Sequence, residues 1–307
     1  MSKRTPDSKG RALLGLGLAA GVVTGLATWR RLTARRYTLP RGAHGEPGTA
    51  VITGASSGIG AAFARRLAAS GYDLILVARR EDRLTVLARE LEQRHPIQAE
   101  VLVADLANEE DVESVERRVV QLDNLAFLIN SAGFGTSGKF ASSDLTKQIK
   151  MIEVHVLASV RLSRAALPAM IARQTGAIIN LSSVISFLPA PGNVTYCATK
   201  AYLNVFSQAL QAELSGTGVQ VQALCPGFTH TEFHDSPELA AFDDHPIPEA
   251  LWMSADDVVS HSLECVRRNN VICVPGFKNR WMGAALRQPL VARLLQLWFR
   301  SMGNTWG

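Results

Sequence analysis

Between residues 49 and 181, five short apolar runs alternate with stretches of helical period: 49–53, 72–78, 100–104, 125–129 and 177–181. Each run is five to seven residues long and rich in Val, Ile and Leu, which suits buried strands. The helical stretches include residues 61–68 and about 144–173. Two further runs, 219–224 and 271–274, extend the pattern. Strand and helix in alternation predict an α/β fold, a doubly wound parallel sheet with helices on its faces. Ligands of such sheets lie beyond the carboxyl ends of the strands. The residues that close each run are therefore the candidates for chemistry.

The first run leads into Gly54, Gly58 and Gly60, followed at once by helical period. A side chain at these positions would keep the backbone away from a pyrophosphate, and the amides of a helix N-terminus would face it. Three glycines alone are a weak signal; their place between strand and helix gives them weight. The second run ends in Arg79 and Arg80, where a dinucleotide fold reads the adenosine ribose. A carboxylate there would take a 2′-hydroxyl, whereas two arginines suit a 2′-phosphate or are simply solvated. The third run ends in Asp105, the fourth in Asn130 and the fifth in Ser182 and Ser183. Tyr196 and Lys200 follow, four residues apart on one face of a helix reaching to about residue 214. An ammonium beside a phenol is expected to lower its pKa from about 10 toward neutrality. Tyr196 would then give a proton to a developing alkoxide, or take one in reverse, while Ser183 bonds the same oxygen. A Tyr/Lys pair alone is an ordinary helix-surface contact; the preceding dinucleotide half and Ser-ended strand make it a candidate.

Together these elements resemble the short-chain dehydrogenases/reductases over about residues 48–276. Residues 53–60 match the family's TGxxxGxG turn, Asp105 its adenine contact, and 130–133 read NSAG where NNAG is usual. Ser183, thirteen residues before Tyr196, matches the substrate-orienting serine; Tyr196 and Lys200 match YxxxK; Pro226, Gly227 and Thr231 match PGxxxT. The resemblance implies a Rossmann-type sheet of seven strands in the order 3-2-1-4-5-6-7, with NADP(H) passing hydride between a carbonyl and an alcohol. Carried over, the cofactor contacts fall on Gly54, Ser56, Ser57, Gly58, Ile59, Gly60, Arg79, Arg80, Asp105, Leu106, Asn130, Ala132, Gly133, Tyr196, Lys200, Pro226, Gly227 and Thr231. One position departs. The stretch that usually reads VNxxG has Val154, His155 and Val156, so His155 stands in the place of the tetrad's Asn. In the family that residue supports a water feeding protons through the Lys; here His155 either substitutes for it or only packs.

Composition bounds the rest. The chain has 307 residues, 47% hydrophobic and 19% charged, enough for one α/β core. Residues 1–41 carry nine Lys/Arg against one acid, residues 278–307 five against none, and the body between them 18 against 26. An acidic body with basic ends argues against nucleic acid as partner and suits ends that meet an anionic membrane. Residues 12–29 hold no charge, and as a helix would rise about 27 Å, close to a bilayer core of about 30 Å. The favoured reading is a membrane anchor with the catalytic domain facing the cytosol; a signal peptide and a mitochondrial targeting helix are the rivals. The expected layout is therefore anchor and linker over 1–47, one catalytic domain over 48–276, and a basic amphipathic segment over 277–307, with a dimer contact as the tail's other reading. Phe228, His230, Phe233, His234, Phe242 and Trp252 after the PG turn, with Phe134 and Phe187, suit a bulky lipophilic substrate of steroid, retinoid, long-chain ketone or 3-oxoacyl type. The family implies a homodimer or tetramer. The four cysteines form no CxxC and read as reduced, buried thiols, and no metal site is expected. A non-catalytic NADP-binding regulator on the same fold is the alternative function.

Overall fold

The computed structural model describes residues 38–286 and 288, apart from 43–44, 189 and 234–247. The anchor, His234, Phe242 and most of the basic tail lie outside the described residues. Strands β1 (Thr49–Thr53), β2 (Asp73–Ala78), β3 (Ala99–Val103), β4 (Leu125–Asn130), β5 (Gly176–Leu181) and β6 (Val219–Leu224) alternate with helices. The helices are α1 (Gly58–Ala68), α2 (Glu81–Arg94), α3 (Glu109–Val120), α4 (Leu145–Ile152), α5 (Ala158–Ala172) and α6 (Val194–Glu213). Two short strands, β7 (Thr229–His230) and β8 (Met253–Ser254), precede α7 (Ala255–Arg267), β9 (Ile272–Cys273) and α8 (Phe277–Leu286).

The main sheet has seven strands in the order β3-β2-β1-β4-β5-β6-β9, all parallel. This is the expected topology, with β9 as the seventh strand. Strands buried on both faces must be apolar throughout, which is why β1 and β4 read as continuous runs: all their residues are buried. One face packs on α1, α2 and α7 through Phe63, Leu67, Leu84 and Leu263, the other on α3 and α5 through Val115, Leu162, Ala166 and Met170. The stretch from Leu145 to Ala172 is long and apolar enough to cross a membrane, yet it is a core helix here, with Met151, Leu162, Ala166 and Met170 fully buried.

Two features were not in the sequence pattern. The long helix is interrupted by a π-turn at Glu153–Leu157, between α4 and α5. Cys265 and Cys273 form a disulfide, against the expectation of four thiols; Cys197 and Cys225 are buried thiols outside it. The pair was hidden because a helix end and a tight return to β9 bring residues eight apart together, with Cα atoms 6.0 Å apart.

Candidate active site

At the carboxyl end of β1 the chain turns through Gly54 (φ +68°) and Gly58 (φ +55°) into α1. A Cβ on Gly54 would lie 2.8 Å from the Ala132 Cα, and one on Gly60 only 2.3 Å from the Gly54 carbonyl oxygen. The turn is thus pressed against the end of β4. Thr53 fastens the two strand ends, its Oγ1 accepting from the Ser131 and Ala132 amides at 3.0 and 3.1 Å. Ser57 at the head of α1 makes no side-chain cap, and the first turn holds no acid. The amides there keep their positive end open. Arg80 sits beside this turn, donating to Ser56 Oγ at 2.9 Å and Ser57 Oγ at 2.7 Å, while Arg79 is exposed. A bare glycine turn, an uncapped helix head and a guanidinium beside them fit an anionic dinucleotide.

The other strand ends are placed as follows. The Asp105 carboxylate accepts from the Ala107 amide at 3.2 Å, and Leu106 is buried. The Asn130 side chain turns into the core: Nδ2 donates to Asn180 Oδ1 at 2.9 Å, whose own Nδ2 donates to Ser207 Oγ at 3.0 Å. This chain of amides ties β4 and β5 to α6. Pro226 accepts through its carbonyl from the Val184 amide at 3.0 Å. Thr231 lies over the glycine turn, its side chain 3.2 Å from where a Gly58 Cβ would stand.

Ser183, Tyr196 and Lys200 come together at the ends of β5 and α6. Ser183 caps a short 3-10 turn through the Ile185 amide and hydrogen-bonds the Tyr196 hydroxyl. Lys200 is 3% exposed; its Nζ donates to the Leu181 carbonyl at 2.7 Å and lies 5.5 Å from the Tyr196 ring centre. Burial pulls the Lys200 ammonium down to about 7, against a smaller opposing pull from the Cys225 thiol. Burial also pushes the Tyr196 phenol up, with Ser183 acting the other way. This differs from the expected lowering by Lys200. Loss of hydration at the phenol outweighs the Ser183 hydrogen bond; Lys200 is buried, while Tyr196 keeps part of its surface exposed.

His155 occupies the π-turn and is 1% exposed. Its Nε2 accepts from the Phe134 amide at 3.1 Å, and Nδ1 meets Thr199 Oγ1 at 3.0 Å. Thr199 gives its own proton to the Tyr196 carbonyl at 2.9 Å, so Nδ1 carries the hydrogen and Thr199 accepts it. Both ring nitrogens are engaged, and burial with the Lys200 charge holds the imidazole well below its ordinary pKa. The neutral ring lies edge-on to Tyr196 at 5.8 Å between centres. A Cβ on Gly133 would fall 2.7 Å from Nε2, so the ring also requires this glycine.

Sequence reasoning missed several of these partners. Thr199 lies inside the Tyr–Lys interval, and its spacing alone carries no signal. Asn204, which donates to Ser186 Oγ at 2.6 Å and meets Cys225 Sγ at 3.2 Å, lies one turn beyond Lys200. Asn279 of α8 is 2% exposed and packs on Gly227, where a Cβ would come within 2.6 Å of its Oδ1. The expected aromatic residues do cluster: Phe228 and His230 pack on Trp252 at 5.5 and 4.9 Å, and Phe233 on Tyr196 at 5.8 Å.

The short chain dehydrogenase sequence profile matches residues 48–239. Sulfoacetaldehyde reductase 2 of Chromohalobacter salexigens is 40% identical over 186 residues, 60% of this chain and 73% of the relative. The very-long-chain 3-oxoacyl-CoA reductase of Homo sapiens is 30% identical over 247 residues, 78% of this chain and 71% of the relative. Among solved structures, a short-chain dehydrogenase from Sphingobium yanoikuyae in complex with NADPH superposes with a TM-score of 0.70 at 38% identity, over 77% of this chain and 92% of that one. The profile, the sheet order and these relatives agree: the chain belongs to the short-chain dehydrogenase family and is an oxidoreductase.

Proposed function

We propose that this oxidoreductase uses NADP(H) to interconvert a carbonyl and an alcohol on a bulky lipophilic substrate, with Tyr196 as acid and base. The observation that carries the reading is the convergence of Ser183, Tyr196 and Lys200 at strand ends that also present a bare glycine turn. A dinucleotide held by its pyrophosphate at that turn would supply or accept the hydride through its nicotinamide. Ser183 and the Tyr196 hydroxyl hold the substrate oxygen, and Tyr196 gives it the proton as negative charge develops. Lys200, titrating near neutrality, lies close enough to favour the tyrosinate when protonated. His155 fixes the Tyr196 carbonyl through Thr199 and has no nitrogen left to pass a proton, so it acts as a positioning residue.

Arg80 at Ser56 and Ser57, with Arg79 beside it, supports a 2′-phosphate on the cofactor. The aromatic cluster around Trp252 supports an apolar substrate. The uncharged run at residues 12–29 supports a membrane anchor ahead of a catalytic domain over 48–276, and the use of NADP(H) favours a cytosolic face for that domain. Exposed apolar residues on α4 (Leu145, Ile149, Ile152) and α6 (Tyr202, Val205) support self-association of the catalytic domain.

The test is NADPH oxidation by the full-length protein against lipophilic ketones and 3-oxoacyl thioesters, beside Tyr196→Phe. Turnover in the wild type that vanishes in the variant is the expected result. Tight NADPH binding without turnover of any compound in either protein would replace it with the regulator reading.

A further inference from the structure

Glu232, the residue after Thr231, matches no motif position. Its Oε2 lies 3.0 Å from Arg80 Nη1, and Oε1 and Oε2 lie 2.5 and 2.6 Å from Arg83 Nη1. The two guanidiniums, and Arg83 before Arg80, hold its carboxyl below the usual carboxylate range. Arg80 also reaches Ser56 and Ser57 of the glycine turn. An anion therefore already sits between two arginines beside the phosphate-binding backbone, and it belongs to the protein itself.

We propose that Glu232 is a specificity-determining residue for the cofactor: its carboxylate is the counter-ion of Arg80 and Arg83 in the free protein, and a 2′-phosphate displaces it where a 2′-hydroxyl does not. The inference rests on the NADP(H) reading above and adds Arg83 to the residues that would hold the phosphate. A phosphate brings about −1.5 to −2 charges and three acceptor oxygens, against one charge and two oxygens on the carboxylate. The exchange keeps both arginines paired and strengthens the pairing. A hydroxyl offers no charge, so Glu232 stays on the arginines when the ribose is unphosphorylated. Arg80, Arg83 and Glu232 have side chains 41%, 43% and 50% exposed, so the pairs are weak enough to exchange.

The exchange reaches the chemistry. Thr231 rests on Gly58, Glu232 on the arginines, and Phe233 on the Tyr196 ring at 5.8 Å. Three consecutive residues thus touch the phosphate turn, the ribose end and the proposed acid. Freeing Glu232 loosens the hold on the residue beside Tyr196 when the 2′-phosphate has arrived.

The test is fluorescence titration of NADPH and NADH into the full-length wild type, Glu232→Gln, Arg83→Ala and Arg80→Ala, with melting temperatures to establish folding. Removing the internal competitor should tighten NADPH by about three- to tenfold while NADH moves by less than about twofold. Arg83→Ala should weaken NADPH by about tenfold. An unchanged or weaker NADPH affinity in Glu232→Gln, or equal tightening of both nucleotides, overturns the inference. If the wild type prefers NADPH and Arg80→Ala abolishes that preference, the cofactor reading stands whichever way Glu232→Gln falls. If the wild type shows no preference for NADPH, the cofactor reading fails and takes the inference with it.

Discussion

The two ends of the cleft are built on opposite plans. At the catalytic end, His155, Lys200, Asn180 and Asn204 are each 5% exposed or less, and they bond to Thr199, the Leu181 carbonyl, Ser207 and Ser186. At the phosphate end, Arg80, Arg83 and Glu232 are half-exposed and joined by ion pairs that water and salt weaken. A buried network is costly to leave half-satisfied, so it fixes one geometry. An exposed ion cluster changes partners at little cost. Orientation of the reacting oxygen calls for the first kind of site, and binding and release of a charged cofactor for the second.

The largest effect should come from Tyr196→Phe. Removing the hydroxyl should lower kcat by about 10²- to 10⁴-fold, measured as NADPH oxidation, while NADPH affinity stays near wild type. A comparable loss of affinity would show that the two ends are not separate. Next is His155→Ala, which deletes a buried ring and leaves the Phe134 amide unpaired. We expect a loss of about 3 kcal/mol in denaturant unfolding. A change under about 1 kcal/mol would show that the catalytic end is not preset by this residue. Arg80→Ala should weaken NADPH by about ten- to a hundredfold with little change in stability, read by titration and melting. The smallest effect is a pH slope. The His155 pKa is lowered in the fold, so the unfolded chain binds the extra proton. Stability from this group is full above about 6.5 and falls as pH drops below it, by at most about 1.4 kcal/mol per unit. His155→Asn should flatten that part of the thermal-stability profile; an unchanged acid slope would place its origin elsewhere.

The dinucleotide half was legible because period and glycine placement report on backbone: β1, the turn at Gly54 and the alternation of strands with helices follow from local pattern, while the order of the strands in the sheet came from the family resemblance. Ser183, Tyr196 and Lys200 were legible from the same pattern together with the family resemblance. Their environment was not. The direction of the Tyr196 shift depends on how deeply the phenol is shut from water, which no spacing reveals. His155 could be placed on its helix from sequence, but its two partners come from the β4 loop and from α6, and the π-turn that aims it has no period of its own. Glu232 stands 152 residues from Arg80 in the chain, and the Cys265–Cys273 pair depends on a turn at a helix end. Both are products of tertiary approach.

Initial rates over a range of NADPH concentrations show whether chemistry and phosphate recognition are divided between the two ends. The comparison takes one accepted ketone with wild type, Tyr196→Phe and Arg80→Ala. In a divided cleft, Tyr196→Phe loses kcat at an unchanged KM for NADPH, and Arg80→Ala raises that KM while kcat is largely kept. A fall in kcat for Arg80→Ala as deep as that of Tyr196→Phe, at an unchanged KM, would contradict the division.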